Sequence, residues 1–123
     1  MDQGRGGCGF GIKLDDMQQK IPLLVKETVS NLDPSANVIL FGSRARGDFK
    51  ADSDWDFLIL TPQKLTINYR DSIRDSLYLI ELEQDQVISS VIENSEEWQK
   101  YLYSEFYKNV AKEGIEILAN QSV

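Results

Sequence analysis

The sequence predicts an α/β (α+β) domain, a small mixed sheet of about four strands flanked by helices. Segments with apolar residues at helical spacing alternate with short β-branched runs along the chain. The run WDFLIL, residues 55–60, carries a continuous apolar stretch of the kind found in a central strand buried on both faces. No internal repeat or long linker divides the 123 residues, so they form one domain with one modest core.

Taken in order, residues 1–14 open with MDQGRGGCGFG and read as a flexible Gly-rich leader, the domain being 15–123. The loose Gly-x-Gly spacing there has no strand before it, and a dinucleotide loop requires one. From Asp15 to about Leu32 the pattern is helical, with Ile21, Leu24, Val25 and Val29 on one face. Pro22 predicts a kink, or a fresh start near Lys20, because proline has no N–H to donate. Asp33-Pro34-Ser35 makes a turn, and VILF, 38–41, is short and β-branched enough for a buried strand. A polar loop from Gly42 to Ser53 follows, in which SRAR could form the first turn of a short helix.

After the strand 55–60, Thr66 caps a helix that runs to Gln84 with Ile73, Leu77 and Ile80 inward. QVISSVI, 86–92, is the third strand. Ser95 caps a short helix through Trp98 to about Leu102, and a last helix spans Ser104 to Glu113. Gly114 fits its C-terminal cap, and IEIL, 115–118, closes the sheet. The aromatic group Trp98, Tyr101, Tyr103, Phe106 and Tyr107 is either packing around these terminal helices or a partner surface.

Composition removes several chemistries. Histidine is absent, which excludes imidazole metal sites, Ser-His triads and a histidine base. A single cysteine, Cys8, forms no intrachain disulfide. With 20 acidic and 13 basic residues the net charge is −7, so strong nucleic-acid binding through a broad basic surface is not expected. No apolar run is long enough to span a bilayer and no hydrophobic signal segment opens the chain, so a cytoplasmic setting without membrane attachment is expected.

Chemistry concentrates in FGSRARGDFKADSDWDFLIL, 41–60. Strand alternation puts Asp54 and Asp56 on one face with Leu58 and Leu60, and Trp55, Phe57 and Ile59 on the other. Two carboxylates side by side repel, and partial burial raises one pKa; a divalent cation removes the conflict. Mg²⁺ suits the position, since it takes one or two carboxylates together with substrate phosphates and water. Across the loop, Gly42 lets phosphate approach the backbone, Ser43 offers a hydroxyl and an N–H, and Arg44 and Arg46 add charged donors. The bland alternative for the aspartates is turn chemistry at a strand entrance, and for the arginines a solvated loop. A nucleoside triphosphate bridging a phosphate end and a metal end accounts for both halves.

Gly42-Ser43, ten residues, then Asp54-x-Asp56 resembles the Gly-Ser-x10-Asp-x-Asp signature of the nucleotidyltransferase superfamily that includes DNA polymerase β. The opening GSRARG, the small size and the ending KEGIEIL are similar to its minimal nucleotidyltransferase branch, the MNT or MntA-like antitoxins, over roughly residues 20–119. The resemblance implies a polymerase-β-like fold and Mg²⁺-dependent transfer of a nucleoside monophosphate, with ATP the expected donor, to a hydroxyl acceptor. It implies that Gly42 and Ser43 contact the triphosphate and that Asp54 and Asp56 hold metal. It also implies a partner, a small helical HEPN-domain protein or a second copy of the chain. One departure stands out: the third carboxylate of the family falls on Ser89, with Glu81, Glu83, Asp85 and Glu93 as nearby acids. That motivates the alternative of a catalytically weak antitoxin or regulatory subunit that binds nucleotide and a HEPN-type partner.

Overall fold

A computed structural model describes residues 16–119; the Gly-rich leader lies outside them. Helix α1, Asp16–Leu32, leads into β1, Asn37–Phe41. A single helical turn, α2, Ser43–Arg46, and a loop connect it to β2, Trp55–Thr61. Helix α3, Ile67–Gln84, crosses to β3, Ile88–Asn94, and α4, Ser95–Gln99, α5, Glu105–Glu113, and β4, Ile115–Ile117, complete the chain.

The sheet order is β3-β2-β1-β4. β1 runs antiparallel to β2 and to β4, whereas β2 and β3 are parallel because α3 carries the chain back across the sheet. The expected mixed four-stranded sheet is therefore what forms, with β2 inside it.

Alternation along β2 divides the core as its sequence predicts. Trp55, Phe57 and Ile59 pack with Val38 and Leu40 under α1 (Ile21, Val25, Val29) and α3 (Ile73, Leu77, Ile80). Leu58 faces the opposite way, onto Trp98 of α4 and Val110 of α5, with Ile39, Phe41, Leu60, Val91 and Tyr107 around them. Each fully buried aliphatic side chain contributes about 1.5–3 kcal/mol of transfer free energy, so the larger α1–α3 layer provides most of the cohesion.

Several boundaries differ from expectation. Helix α1 continues through Pro22 with no fresh start at Lys20, and the proline ring is itself fully buried, which offsets the lost hydrogen bond. β3 lies two residues further on than QVISSVI. Asp85 ends α3 in the left-handed conformation (φ 54°), so Gln86 and Val87 are spent on the turn and Glu93 and Asn94 pair with Leu60 and Thr61. Asn94, not Ser95, caps α4: its side-chain oxygen accepts the Glu96 and Glu97 N–H groups at 2.9 and 3.1 Å, and the helix ends at Gln99. Gly114 does cap α5, but in extended conformation (φ −66°, ψ 144°). What requires glycine there is space, since a Cβ would strike the Val110 carbonyl and the Ile39 side chain.

At the end of β2 remote from its aspartates, Asp33 is buried. It accepts hydrogen bonds from the Ser35 hydroxyl, the Ser35 N–H at 3.0 Å, the Thr61 hydroxyl, and the Tyr69 hydroxyl at 2.7 Å. One carboxylate thereby joins the end of α1, the end of β2 and the first turn of α3. Burial alone raises its pKa, but these four bonds, led by the Ser35 hydroxyl, outweigh burial and hold it below 3.8. Burial and the bond to Asp33 push the Tyr69 hydroxyl up to about 12.

Replacing Asp33 by Asn should cost about 2–4 kcal/mol in urea unfolding at pH 7, because a neutral amide accepts from fewer of these donors. A lowered carboxylate pKa stabilises the fold above its unfolded value and ceases to do so as pH falls through the folded value. The gap between wild type and Asp33→Asn should be full above about pH 4 and close under stronger acid.

Candidate active site

The two halves of the motif meet at the mouth of the sheet. Phe41, the last residue of β1, pairs with Asp56 in β2, so the chain leaving β1 passes over the Asp56 side chain. Gly42 makes that passage possible. It adopts φ 77°, and a Cβ built on it would run into the Asp56 carboxylate. Its carbonyl then accepts the Ala45 and Arg46 N–H groups at 3.0 Å each, which starts the helical turn, and Gly47 (φ 93°) ends it. The Ser43 side chain, half-buried at the start of that turn, makes no hydrogen bond among the described residues.

Asp56 is half-buried and Asp54, one residue ahead of β2, is exposed. Burial pushes the Asp56 carboxyl up, the negative charge of Asp54 pushes it the same way, and Arg46 opposes both. An acidic pair in this condition is suited to a cation, and the two carboxylates fit the small protein share of an Mg²⁺ shell completed by phosphate oxygens and water.

Ser89 lies directly beside Asp56 in the parallel β2–β3 register. The nearby acids do not supply a third ligand. Glu81 accepts the Ile88 N–H at 2.7 Å and so fastens the entry to β3. Glu93 sits further along β3, opposite Leu60, while Glu83 and Asp85 are exposed at the end of α3. Among the described residues no group of three or more acidic side chains comes close enough to hold a metal ion.

The two arginines part company. Arg46 is exposed, with Nε 3.2 Å from Asp48 and Nη1 3.0 Å from Glu113. Arg44 is buried, its guanidinium stacked 4.5 Å from the Phe49 ring centre and 4.3 Å from that of Trp55. It donates to the Ala51 carbonyl at 3.2 Å and to the Ser53 carbonyl at 3.1 Å. Where the sequence pairs Arg44 with Arg46 as phosphate donors, the structure gives Arg44 the separate task of holding the 48–54 loop onto β2. The Lys50–Ser53 turn closes on itself beside it, and the Trp55 indole N–H reaches Gln86 at 3.0 Å. Asp54 is therefore delivered by a fixed loop.

Glu113 is the site residue that the sequence did not disclose. It stands at the end of α5, and one of its oxygens accepts the Gly42 N–H at 3.0 Å as well as the Arg46 guanidinium. Nearby, the aromatic group divides, with Trp98 buried, Tyr107 half-buried, and Tyr101, Tyr103 and Phe106 exposed. Trp98 is buried and stacks on Tyr107 at 5.0 Å, Phe106 packs edge-on to it at 5.5 Å, and Phe41 meets Phe106 at 5.2 Å. Tyr103, by contrast, is 84% exposed.

β1 thus leads into Gly42-Ser43 beside Asp54 and Asp56 at the start of its antiparallel neighbour, the arrangement that the sequence motif leads one to expect. The family model described as "Nucleotidyltransferase domain" matches residues 24–117, from within α1 to the end of β4, and the chain belongs to that family. Two relatives from Methanocaldococcus jannaschii bear the name "Putative protein adenylyltransferase". MJ0141 is 33% identical over 94 residues, covering 75% of this chain and 90% of the relative. MJ0604 is 35% identical over 77 residues, covering 63% and 72%. Among solved structures, a toxin–antitoxin with AMP-PNP superposes at TM-score 0.56 and 19% identity over 88% of this chain and 76% of that one. The complex of a tri-AMPylated Shewanella oneidensis HEPN toxin with its MNT antitoxin gives 0.56 and 18% over 85% and 75%. A Sulfolobus solfataricus structure described as a "putative nucleotidyltransferase" gives 0.51 and 20% over 93% and 96%. The fold is the polymerase-β-like one of these proteins.

Two measurements check this geometry. Arg44→Ala should lower stability by about 3 kcal/mol in urea unfolding, and Arg44→Lys should recover little of it, because an ammonium cannot stack between two rings while bridging two carbonyls. A raised carboxylate pKa means that folding loses stability as pH rises through it. Asp56→Asn should therefore melt higher than wild type at neutral pH in metal-free buffer, with the difference fading in acid.

Proposed function

We propose that this chain is a Mg²⁺-dependent nucleotidyltransferase that moves AMP from ATP to a hydroxyl of a partner protein, a small helical HEPN-type protein in a toxin–antitoxin pair. The observation that carries the reading is the Asp56 carboxylate lying against Gly42, with Asp54 next to it, so that metal and triphosphate positions adjoin. The names of the M. jannaschii relatives favour a protein acceptor, and AMP-PNP in one structural neighbour favours an adenine nucleotide. The tri-AMPylated HEPN toxin beside its MNT antitoxin favours both.

In this reading Asp54 and Asp56 hold the Mg²⁺, which when bound supplies electrostatic stabilisation of charge at phosphorus. Gly42, Ser43 and Arg46 hold the β- and γ-phosphates by backbone N–H, hydroxyl and guanidinium donors. Arg44 contributes by fixing the loop that delivers Asp54. The acceptor oxygen forms a bond to the α-phosphorus, the bond from that phosphorus to the β-phosphate bridging oxygen breaks, and pyrophosphate departs. The acceptor proton passes to solvent or to a carboxylate at the sheet mouth. No helix among the described residues is long and apolar enough to cross a membrane.

Ser89 favours a second reading. With serine beside Asp56 and, among the described residues, no group of three acids close enough to hold a metal, the acceptor hydroxyl lacks the third carboxylate ligand that would help activate it. The chain is then a regulatory subunit that binds metal-nucleotide and its partner with little turnover.

Incubation with α-labelled ATP, Mg²⁺ and the protein encoded beside this one decides between them. Label on the acceptor should fall by at least about 10²-fold in Asp54→Asn and in Asp56→Asn, since even outer-shell changes cost metal sites about 10–100-fold. Partner binding without label or pyrophosphate, unaffected by either substitution, establishes the regulatory reading.

A further inference from the structure

Glu113 stands at an end of a helix that does not by itself call for an anion. It is the last residue of α5, where the helix carbonyls concentrate negative potential. Its side chain is only 17% exposed. It nevertheless reaches back to the turn after β1, where a single carboxylate oxygen takes the Gly42 N–H and the Arg46 Nη1, both at 3.0 Å. A backbone N–H and a guanidinium converging on one anionic oxygen are the donors that a phosphate oxygen takes. Gly42 has Glu113 bonded to its N–H and Asp56 packed where its Cβ would be, while Asp48 shares Arg46 at 3.2 Å. Two donors of this turn, the Gly42 N–H and the Arg46 guanidinium, are thus filled by the chain's own acids.

We propose that Glu113 is an internal anion occupying the place of a phosphate oxygen, and that a polyphosphate ligand must displace it to engage Gly42 and Arg46. The inference rests on the reading of the turn as a triphosphate site, and it adds a positioning residue that sets nucleotide affinity. Displacement needs no backbone change, because rotation about the side-chain bonds of Glu113 releases both donors. Gly114 meanwhile stays tied to the Val110 carbonyl at 2.7 Å, so β4 keeps its place. A purely structural Glu113, bracing the turn, predicts the opposite response to neutralisation.

The test titrates inorganic tripolyphosphate, with and without Mg²⁺, into wild type and Glu113→Gln by calorimetry, with melting curves to verify that the variant folds. Glutamine retains length and one acceptor but removes the competing charge. Tripolyphosphate should bind the variant about fivefold more tightly or better, the equivalent of one partly screened charge contact. Equal or weaker binding, or no binding by either protein, overturns the proposal. On wild type alone, saturating tripolyphosphate should move the Glu113 Cδ NMR resonance to that of a solvated carboxylate; an unmoved resonance overturns it equally. AMP transfer assayed on the same samples separates the two claims. Tighter binding with no transfer leaves the internal anion standing and removes the transferase reading. Transfer with unchanged affinity does the reverse.

Discussion

Everything at the mouth of this sheet depends on the absence of a side chain at position 42. Phe41 and Asp56 are register partners, so the chain leaving β1 has to pass across the Asp56 carboxylate, and only hydrogen at Cα leaves room for it. The positive φ of Gly42 then turns the backbone so that its carbonyl opens α2 while its N–H points to Glu113. One residue brings a carboxylate, a helical turn and a second carboxylate together. The β1–β2 register does the rest: a slip of one position would turn Asp56 to the α1–α3 face, where burial would force its neutralisation.

The two faces of the sheet have different duties. The α1–α3 side holds the larger core and includes the Trp55 ring that supports Arg44. The α4–α5 side is thinner, and its aromatic packing from Trp98 through Phe106 to Phe41 leads directly to Gly42. Site residues come from both faces, and the connection between them is β2 itself, which alternates Asp56 and Leu58 with Trp55 and Phe57.

The order of the elements and the Gly-Ser to Asp-x-Asp relation are legible in the sequence because each rests on local rules: helical or strand periodicity, and a spacing of ten residues along one loop. The illegible parts are those decided by competition or by distance. Asn94 and Ser95 are both competent caps, and only the extent of β3 selects Asn94. Pro22 is tolerated in α1 because tertiary burial overrides propensity. That Arg44 also holds the loop carbonyls and stacks on two rings leaves no local pattern in the sequence. Glu113 meets Gly42 across 71 positions of chain and Asp33 meets Tyr69 across 36; neither leaves a local pattern.

β2 is fastened at both ends. At its far end Thr61 is bonded to Asp33, and at its near end Trp55 is bonded through its backbone N–H to Val87 and through its ring to Gln86. With paired neighbours on both sides as well, β2 is the most completely bonded strand of the sheet. The 42–54 segment is held differently, by its own turn bonds and by the buried Arg44, while the Gly42 N–H and the Arg46 guanidinium are tied down by side chains alone. The protein thus separates the carboxylate carried by a strand fastened at both ends from donors whose partners are single side chains, Glu113 and Asp48.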